Sequence, residues 1–299
     1  MEYITTKEAV KKWNVSERRV RQLLDEGRIK GATKIGNVWT IPKDTKKPTD
    51  KRSIKDNKNY YNPILIAGPC TFGSYEELYK IAKELKKRNI EYLRAGTFKM
   101  RTSPDSFQGL RDKGMEMLLK IKKELNLKIV TELTSIEQVH KYGNLIDIIQ
   151  IGTRNMYNYE LLKEVGKIST PVLLKRAFSA TYKEWLNAAE YIKREGNNNV
   201  ILCERGIRNT VSEETRNVLD LQAIPYIKHN TDYKIIVDPS HASGHSYMVE
   251  SMSKAALSAG CDGLLIEVHT NPMESLCDKE ETIDLETFDK IVEFKNNMI

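Results

Sequence analysis

Eight short apolar runs, rich in β-branched residues, recur along the chain and constrain its fold more than any other feature. They are ILIAGP (64–69), EYLRAG (91–96), KIVTEL (128–133), DIIQIG (147–152), VLLKRA (172–177), VILCER (200–205), KIIVDP (234–239) and GLLIEV (263–268). Amphipathic stretches such as YEELYKIAKELKKRN separate them, which predicts strands that alternate with helices. Because continuous apolar runs are typical of strands buried on both faces, the sheet should be parallel. Eight such strands suit a closed (β/α)8 TIM barrel over residues 61–299.

The N-terminal residues have a different pattern. In residues 1–42, Thr5 and Glu8 form a capping box, Ser16 suits the start of a second helix, and Gly27 suits its end. TKIGNVWTIP then alternates around Gly36-Asn37, as a hairpin does. This segment resembles the winged helix-turn-helix of the MerR and excisionase type, with Arg18, Arg19, Arg21 and Gln22 on its second helix. Residues 43–60 contain little that a core could bury, so we interpret them as a charged linker.

Charge and cysteines narrow the function classes. The chain of 299 residues has a net charge of +7, yet residues 1–60 alone carry +8, which leaves −1 for the other 239 residues. The basic character therefore belongs to the N-terminal segment. Four unpaired cysteines and a polar N-terminus indicate free thiols in a reducing cytoplasm. No apolar run approaches the ~20 residues of a membrane helix.

Polar groups follow all eight predicted strands, at the end where a (β/α)8 barrel carries its active site. They are Cys70, Arg94 with Lys99, Glu132, Arg154, Lys175, Glu204 with Arg205, Asp238 with His241, and Glu267. Desolvating so many charges without partners is costly, so a purely structural explanation is a poor one.

A metal site is predicted where barrel closure brings the seventh, eighth and first strands together. Cys70, His241, Glu267 and the later Asp278 would converge there. Taken singly, Cys70 also fits a small buried hydrophobe and His241 a helix cap, but the four together favour ligation. Sulfur, nitrogen and oxygen donors suit one divalent Mn, Fe, Co, Zn or Cu ion per subunit better than Mg or Ca. The other candidates are interpreted as bystanders or core residues: Cys277, His269, Cys203 and Cys261.

Six cations are expected on the other side of the barrel mouth. They are Arg94, Lys99, Arg101, Arg154, Lys175 and Arg205. In a domain of net charge −1 they imply ligands with several negative charges, which Arg binds bidentately and Lys binds as a point charge. A solvated face is the alternative for any one of them, but Lys175 and Arg205 lie inside apolar strands. Glu132 and Glu204 are expected to balance and orient these two.

Eight motifs in this order resemble the 3-deoxy-D-arabino-heptulosonate 7-phosphate (DAHP) synthases of the short microbial type. They are AGPC, FKMRTSPDSFQG, TEL, IQIGTRNM, LLKRA, ILCERGIR, VDPSHASG and LLIEVH…LCD. The resemblance covers the chain from about Pro63 to its end. It implies a (β/α)8 barrel, usually tetrameric, that condenses phosphoenolpyruvate with erythrose 4-phosphate and releases phosphate. This would be the first committed step toward chorismate and the aromatic amino acids.

The resemblance also implies roles for individual residues. The implied metal ligands are Cys70, His241, Glu267 and Asp278. The implied phosphoenolpyruvate contacts are Arg94, Lys99, Arg154, Lys175 and Arg205, with Glu132 close by. The implied aldose phosphate contacts are Lys99, Arg101 and Thr102, with Asp238 near the aldehyde. Lys99, Lys175, Glu132 and Asp238 are thus the candidate catalytic residues, and either lysine suits the proton exchange if neighbouring cations lower its pKa.

Four departures from the family pattern bear on aldose preference more than on reaction type. Met100 stands where the family usually has proline, and Ala177 where it has glycine. No pair of arginines follows Gly244, and no acidic residue comes shortly after Cys70.

Other functions compete with this one. The nearest is 3-deoxy-D-manno-octulosonate 8-phosphate synthase. Its KANRSS-like loop has one more residue before the arginine than KMRTSP has. A Schiff-base aldolase using Lys175 is a second. A third is a DNA-binding regulator whose barrel senses a sugar phosphate, or an enzyme that is also a repressor. The N-terminal segment fits DNA binding through Arg18, Arg19 and Arg21, or a small docking or allosteric domain.

Overall fold

The computed structural model describes residues 2–13, 15–36, 38–48, 62–101, 103, 105–208 and 214–298. The chain divides into two compact units, Met1–Tyr60 and Tyr61–Ile299. Two residues singled out in the sequence, Asn37 and Thr102, lie outside the described residues, as does most of the predicted linker.

The first unit is a small sheet with two helices. Its elements are β1 (Tyr3–Thr5), α1 (Thr6–Trp13), α2 (Glu17–Asp25), β2 (Thr33–Ile35) and β3 (Val38–Pro42), and the antiparallel strand order is β1-β3-β2. The predicted caps are present, since Thr5 Oγ1 accepts from the Glu8 amide and Ser16 Oγ accepts from the Arg19 amide, each at 3.3 Å. Satisfied helix ends allow so short a segment to hold two helices. Its core consists of Ala9, Trp13, Val20, Leu23, Leu24, Ile29 and Ile41.

The second unit is a closed barrel of eight parallel strands. They are β4 (Ile64–Gly68), β5 (Tyr92–Arg94), β6 (Lys128–Glu132), β7 (Ile148–Ile151), β8 (Val172–Lys175), β9 (Val200–Glu204), β10 (Lys234–Val237) and β11 (Gly263–Glu267). Closure occurs between β11 and β4, where Glu267 lies opposite Gly68. The predicted (β/α)8 barrel is confirmed.

Helices follow the strands. They are α3 (Tyr75–Lys87), α4 (Arg111–Leu125), α5 (Ile136–Tyr142), α6 (Tyr159–Gly166), α7 (Tyr182–Arg194), α8 (Ala223–Asn230), α9 (Pro239–Ser243), α10 (Ser246–Ser258) and α11 (Leu285–Asn296). None of the helices in the described part of the chain is long and apolar enough to cross a membrane.

Alternation along the strands separates two apolar layers. One face of each strand packs on the helices in the main core, as Leu65 and Ala67 of β4 do. The opposite face fills the barrel interior, which we call the floor layer: Ile66, Val130, Ile148, Leu173, Cys203, Ile236 and Leu265. Because this layer occupies the barrel interior, the polar residues that follow the strands are confined to its carboxyl-terminal mouth.

One glycine fixes the geometry of this mouth. Gly68, the last residue of β4, has φ +147°, and a Cβ there would lie 2.1 Å from the Arg94 carbonyl oxygen. Its absence lets the ends of β4 and β5 approach closely. That approach places Cys70 and Arg94 in the same small region.

Candidate active site at the barrel mouth

A cleft of about 220 Å³ opens at the mouth of the barrel. All six predicted cations line it, together with Glu132, His241 and Asp278. Arg216 is a seventh cation on its wall, which the sequence pattern did not indicate. So dense a positive lining suits a ligand that carries several negative charges.

The four predicted metal ligands form one cluster. One donor atom from each of Cys70, His241, Glu267 and Asp278 lies within 4.8 Å of the others. Cys70 Sγ is 2.6 Å from Asp278 Oδ2, and His241 Nε2 is 3.3 Å from Glu267 Oε1. Glu267 Oε2 is buried and has no hydrogen-bond partner in the part of the chain that the structure describes. A divalent transition metal ion fits this set, because sulfur, nitrogen and oxygen donors suit such an ion and Glu267 Oε2 still has room for a partner.

The ligand elements explain this convergence. Cys70 follows β4, Glu267 ends β11, and these strands are neighbours through closure. His241 lies in α9, directly after β10. Asp278 has a left-handed backbone with φ 56°, which turns the loop after β11 back over the cluster.

The sequence predicted the cations on the side of the mouth opposite the metal ligands. In the structure they are not confined to that side. Arg94 Nη1 is 2.6 Å from Glu267 Oε1, and Lys99 Nζ is 3.2 Å from Asp278 Oδ2. Lys99 also donates to Cys70 Sγ. The physical reason is strand order, since β5 pairs directly with β4 and its following loop crosses the ligand cluster. Cations and metal ligands therefore share one end of the cleft.

Lys99 is held in its charged form. Burial opposes its charge, but Cys70, Cys277 and Asp278 together raise its pKa above the usual value. Cys277, interpreted as a bystander, lies with its sulfur 3.4 Å from Lys99 Nζ. In this arrangement Lys99 is suited to donate a proton or bind an anion rather than to accept a proton.

Asp238 connects Lys175 to His241. Its Oδ2 is 2.6 Å from Lys175 Nζ and 2.7 Å from His241 Nδ1, and its side chain is fully buried. Burial opposes its charge, but His241 and Lys175 hold its pKa well below the usual value. Asp238 is not among the described residues that line the cleft. With Nδ1 close to Asp238, the His241 ring presents Nε2 to Glu267, so the position of Asp238 suits a positioning role more than contact with an aldehyde.

Arg205 is buried and has no carboxylate partner among the described residues. It donates to the main-chain oxygens of His241 at 3.1 Å and Gly206 at 3.4 Å, and its Nε has no partner within the described ranges. Glu204, expected to orient Arg205, instead lies 2.9 Å from Arg176 Nη1. Burial lowers the pKa of Arg205. A buried guanidinium in this state is suited to receive an anionic ligand.

Three guanidinium groups lie close to the ring of Phe178. Those of Arg205, Arg208 and Arg154 lie 4.8, 5.3 and 5.8 Å from the ring centroid. The ring attracts each cation, and a bound anion would reduce their mutual repulsion. This end of the cleft suits a phosphate group.

Glu132 and Arg101 complete the predicted set. Burial raises the pKa of Glu132, and a Cβ on Gly152 would lie 2.0 Å from its Oε1. This carboxyl group therefore needs glycine at position 152. Arg101 Nη1 is 3.7 Å from Asp278 Oδ2, near the ligand cluster.

Known proteins resemble this chain in sequence. Residues 49–299 match the DAHP synthetase I family. The chain belongs to this family. A phospho-2-dehydro-3-deoxyheptonate aldolase of Thermotoga maritima is 41% identical over 252 residues, which cover 84% of this chain and 73% of that protein. The predicted DAHP synthase function and enzyme class are confirmed.

Solved structures agree with the fold. A crystal structure of the Thermotoga maritima DAHP synthase superposes with a TM-score of 0.76 at 35% identity, covering 94% of this chain and 92% of that one. Its truncated form gives a TM-score of 0.72 at 37% identity, covering 79% and 86%. A 2-dehydro-3-deoxyphosphooctonate aldolase of Desulfotalea psychrophila is 29% identical over 248 residues, which cover 77% of this chain and 87% of that protein. The predicted alternative, octulosonate synthesis, is thus the weaker one.

Proposed function

We propose that the chain condenses phosphoenolpyruvate with erythrose 4-phosphate and water to give DAHP and phosphate, with one divalent transition metal ion bound by Cys70, His241, Glu267 and Asp278. The observation that carries this proposal is the pairing of that donor cluster with seven cations in one small cleft. When bound, such an ion polarises the aldehyde oxygen, so that the carbonyl carbon accepts the weak nucleophile C3 of phosphoenolpyruvate.

Phosphoenolpyruvate is assigned to the deep part of the cleft. Its phosphate is placed against Arg154 and Arg205, because Arg205 is buried and has no carboxylate partner. Its carboxylate is placed nearer Lys175 and Arg94, both buried cations at strand ends. These contacts hold C3 close to the ligand cluster, which is the positioning that the new carbon–carbon bond requires.

The proton steps are assigned to Lys99 and Glu132. Water adds at C2 while C3 bonds to the aldehyde carbon, and the bond from C2 to the phosphate ester oxygen then breaks. The high pKa of Lys99 suits donation to the developing alkoxide. Glu132, whose pKa is raised by burial, suits acceptance of the water proton. Erythrose 4-phosphate is assigned to Lys99 and Arg101, and also to Thr102, which lies outside the described residues.

A release assay tests the reaction. With phosphoenolpyruvate and metal, we expect rapid phosphate release with erythrose 4-phosphate, much slower release with arabinose 5-phosphate, and none after treatment with EDTA. The measurement is initial rate over a panel of aldose phosphates. Preference for arabinose 5-phosphate would support octulosonate synthesis. Full activity in EDTA together with borohydride trapping at Lys175 would support a Schiff-base aldolase.

The first unit is proposed to be a winged helix-turn-helix-like module. Its two capped helices, the hairpin of β2 and β3, and its own core support this proposal. The surface of α2 is mixed, because the cations Arg18 and Arg21 share a shallow groove with Glu17, Asp25 and Glu26. DNA binding and a docking or allosteric role both remain predictions, as do the homotetramer and the cytoplasmic location.

A gel-shift measurement distinguishes these two roles. If the module binds DNA, we expect salt-sensitive binding to DNA from upstream of its own gene. The double change Arg18→Ala and Arg19→Ala should weaken binding and reduce its salt dependence, since each lost phosphate contact lowers the slope by about one. Lys80→Ala, on the barrel helix α3, is the matched control. Absence of binding at low salt would favour docking.

A further inference from the structure

Arg216 lines the cleft, and the proposed reaction gives it no role. It lies between β9 and α8 and is fastened to the segment that carries His241. The Arg216 amide donates to Ser243 O at 3.2 Å, and the Asn217 amide donates to Ala242 O at 3.0 Å. A Cβ on Gly244 would lie 2.7 Å from Arg216 Cβ, so the missing side chain at Gly244 leaves room for this approach. The backbone thus fixes where the guanidinium emerges.

The guanidinium of Arg216 is held by one nitrogen. Its Nη1 donates to Glu281 Oε1 at 2.6 Å and to Glu281 Oε2 at 2.7 Å. No other hydrogen bond or ion pair of this guanidinium occurs within the described ranges. Glu281 is 4% exposed at its side chain and Arg216 is 40% exposed. The buried carboxylate therefore anchors Nη1, and the edge formed by Nε and Nη2 stays available for a bidentate contact.

The position of the Nε and Nη2 edge of Arg216 in the cleft indicates which ligand it would contact. Arg216 lines the cleft beside Asp278 and His241, at the metal end. Arg205, Lys175 and Arg94 are buried deeper and are already assigned to phosphoenolpyruvate. Among the described residues that line the cleft, Arg101, also near Asp278, is otherwise the one guanidinium left for the phosphate of the second substrate. A phosphate dianion is better matched by two guanidinium groups than by one.

We propose that the Nε and Nη2 edge of Arg216 binds the phosphate group of the aldose phosphate, with Glu281 holding the guanidinium in place. This proposal rests on the proposed function, because it names a contact for its second substrate. Arg216 is then a specificity residue that distinguishes a phosphorylated aldose from the free sugar.

The test compares erythrose 4-phosphate with erythrose in the full-length, metal-loaded enzyme. In Arg216→Ala we expect kcat/KM for erythrose 4-phosphate to fall on the order of 10- to 100-fold, the range of a charge-assisted contact. For erythrose, which lacks the phosphate, kcat/KM should not change, and neither should KM for phosphoenolpyruvate. The preference for the phosphorylated sugar therefore shrinks.

Three further variants separate binding from a structural role. Arg216→Lys keeps the charge without the planar fork and should give a smaller loss for erythrose 4-phosphate only; it also serves if Arg216→Ala does not fold. Glu281→Gln leaves an oxygen for Nη1 and should keep most of the preference. Arg88→Ala removes an arginine that pairs with Asp289 away from the cleft and should keep all of it.

Equal losses for both sugars, or a raised KM for phosphoenolpyruvate, would overturn the proposal, since Arg216 would then only brace the loop of Asp278. If the unaltered enzyme does not turn over erythrose 4-phosphate at all, the proposed function fails instead. The two failures are therefore distinguishable.

Discussion

Cys70→Ala is expected to abolish turnover with every divalent metal while the barrel stays folded. Changes to residues that only support a metal ligand typically cost 10- to 100-fold, and loss of a ligand should exceed roughly 100-fold. Cys70 is fully buried, but alanine removes a single heavy atom, so the free energy of unfolding should fall by only about 1 kcal/mol. Steady-state rates, bound metal per subunit and thermal unfolding measure the three effects.

Controls for this result are present in the same chain. Cys261→Ala removes a thiol buried in the core away from the cluster and should leave turnover and metal content unchanged. His241→Ala should reproduce the loss seen with Cys70→Ala. Substantial metal-dependent activity in both ligand variants would refute the metal assignment.

Lys175→Met is expected to raise KM for phosphoenolpyruvate at least about 100-fold, because it truncates one partner of a buried charge pair. The same change should weaken metal binding. Burial and the charge of Lys175 both lower the pKa of His241, and without Lys175 the carboxylate of Asp238 has His241 as its nearest counter-charge. A more basic His241 keeps a proton that competes with the metal, so the metal requirement should become steeper as pH falls.

The stability of this variant tests the network directly. Breaking the pair between Lys175 and Asp238 should lower the free energy of unfolding by about 3 kcal/mol. Adding Asp238→Asn removes the second charge and should recover part of that loss without recovering activity. Lys163→Met, which breaks an exposed pair with Glu160, is the matched control. An unchanged KM for phosphoenolpyruvate in Lys175→Met would count against its placement.

Barrel closure made much of the site predictable from the sequence. Once eight strands close into a barrel in chain order, β11 must pair with β4. Cys70 and Glu267 therefore come together although they are far apart in the sequence. Polar residues after apolar strands then mark the mouth. The start of α9 was not predicted, because the sequence offers His241 as a helix cap, whereas Asp238 is the cap and proline occupies the first turn.

Pairing among these charges was not predictable. Glu204 forms an ion pair with Arg176 and not with the adjacent Arg205, because neighbouring residues at a strand end point in different directions. Cys277 contacts Lys99 from a loop in which Asp278 takes a left-handed backbone, and non-glycine residues seldom adopt that conformation. Arg216 lies in a loop without periodicity, and its position depends on backbone hydrogen bonds to a distant segment.

The floor layer has a consequence for the order of events. Ile66, Leu173, Leu265 and their neighbours fill the barrel interior, so the site is a cup with one opening. With the proposed placements, phosphoenolpyruvate against Arg205 and Lys175 should bind before an aldose phosphate that stands at the rim beside Arg216. We therefore expect ordered substrate binding, with phosphoenolpyruvate first.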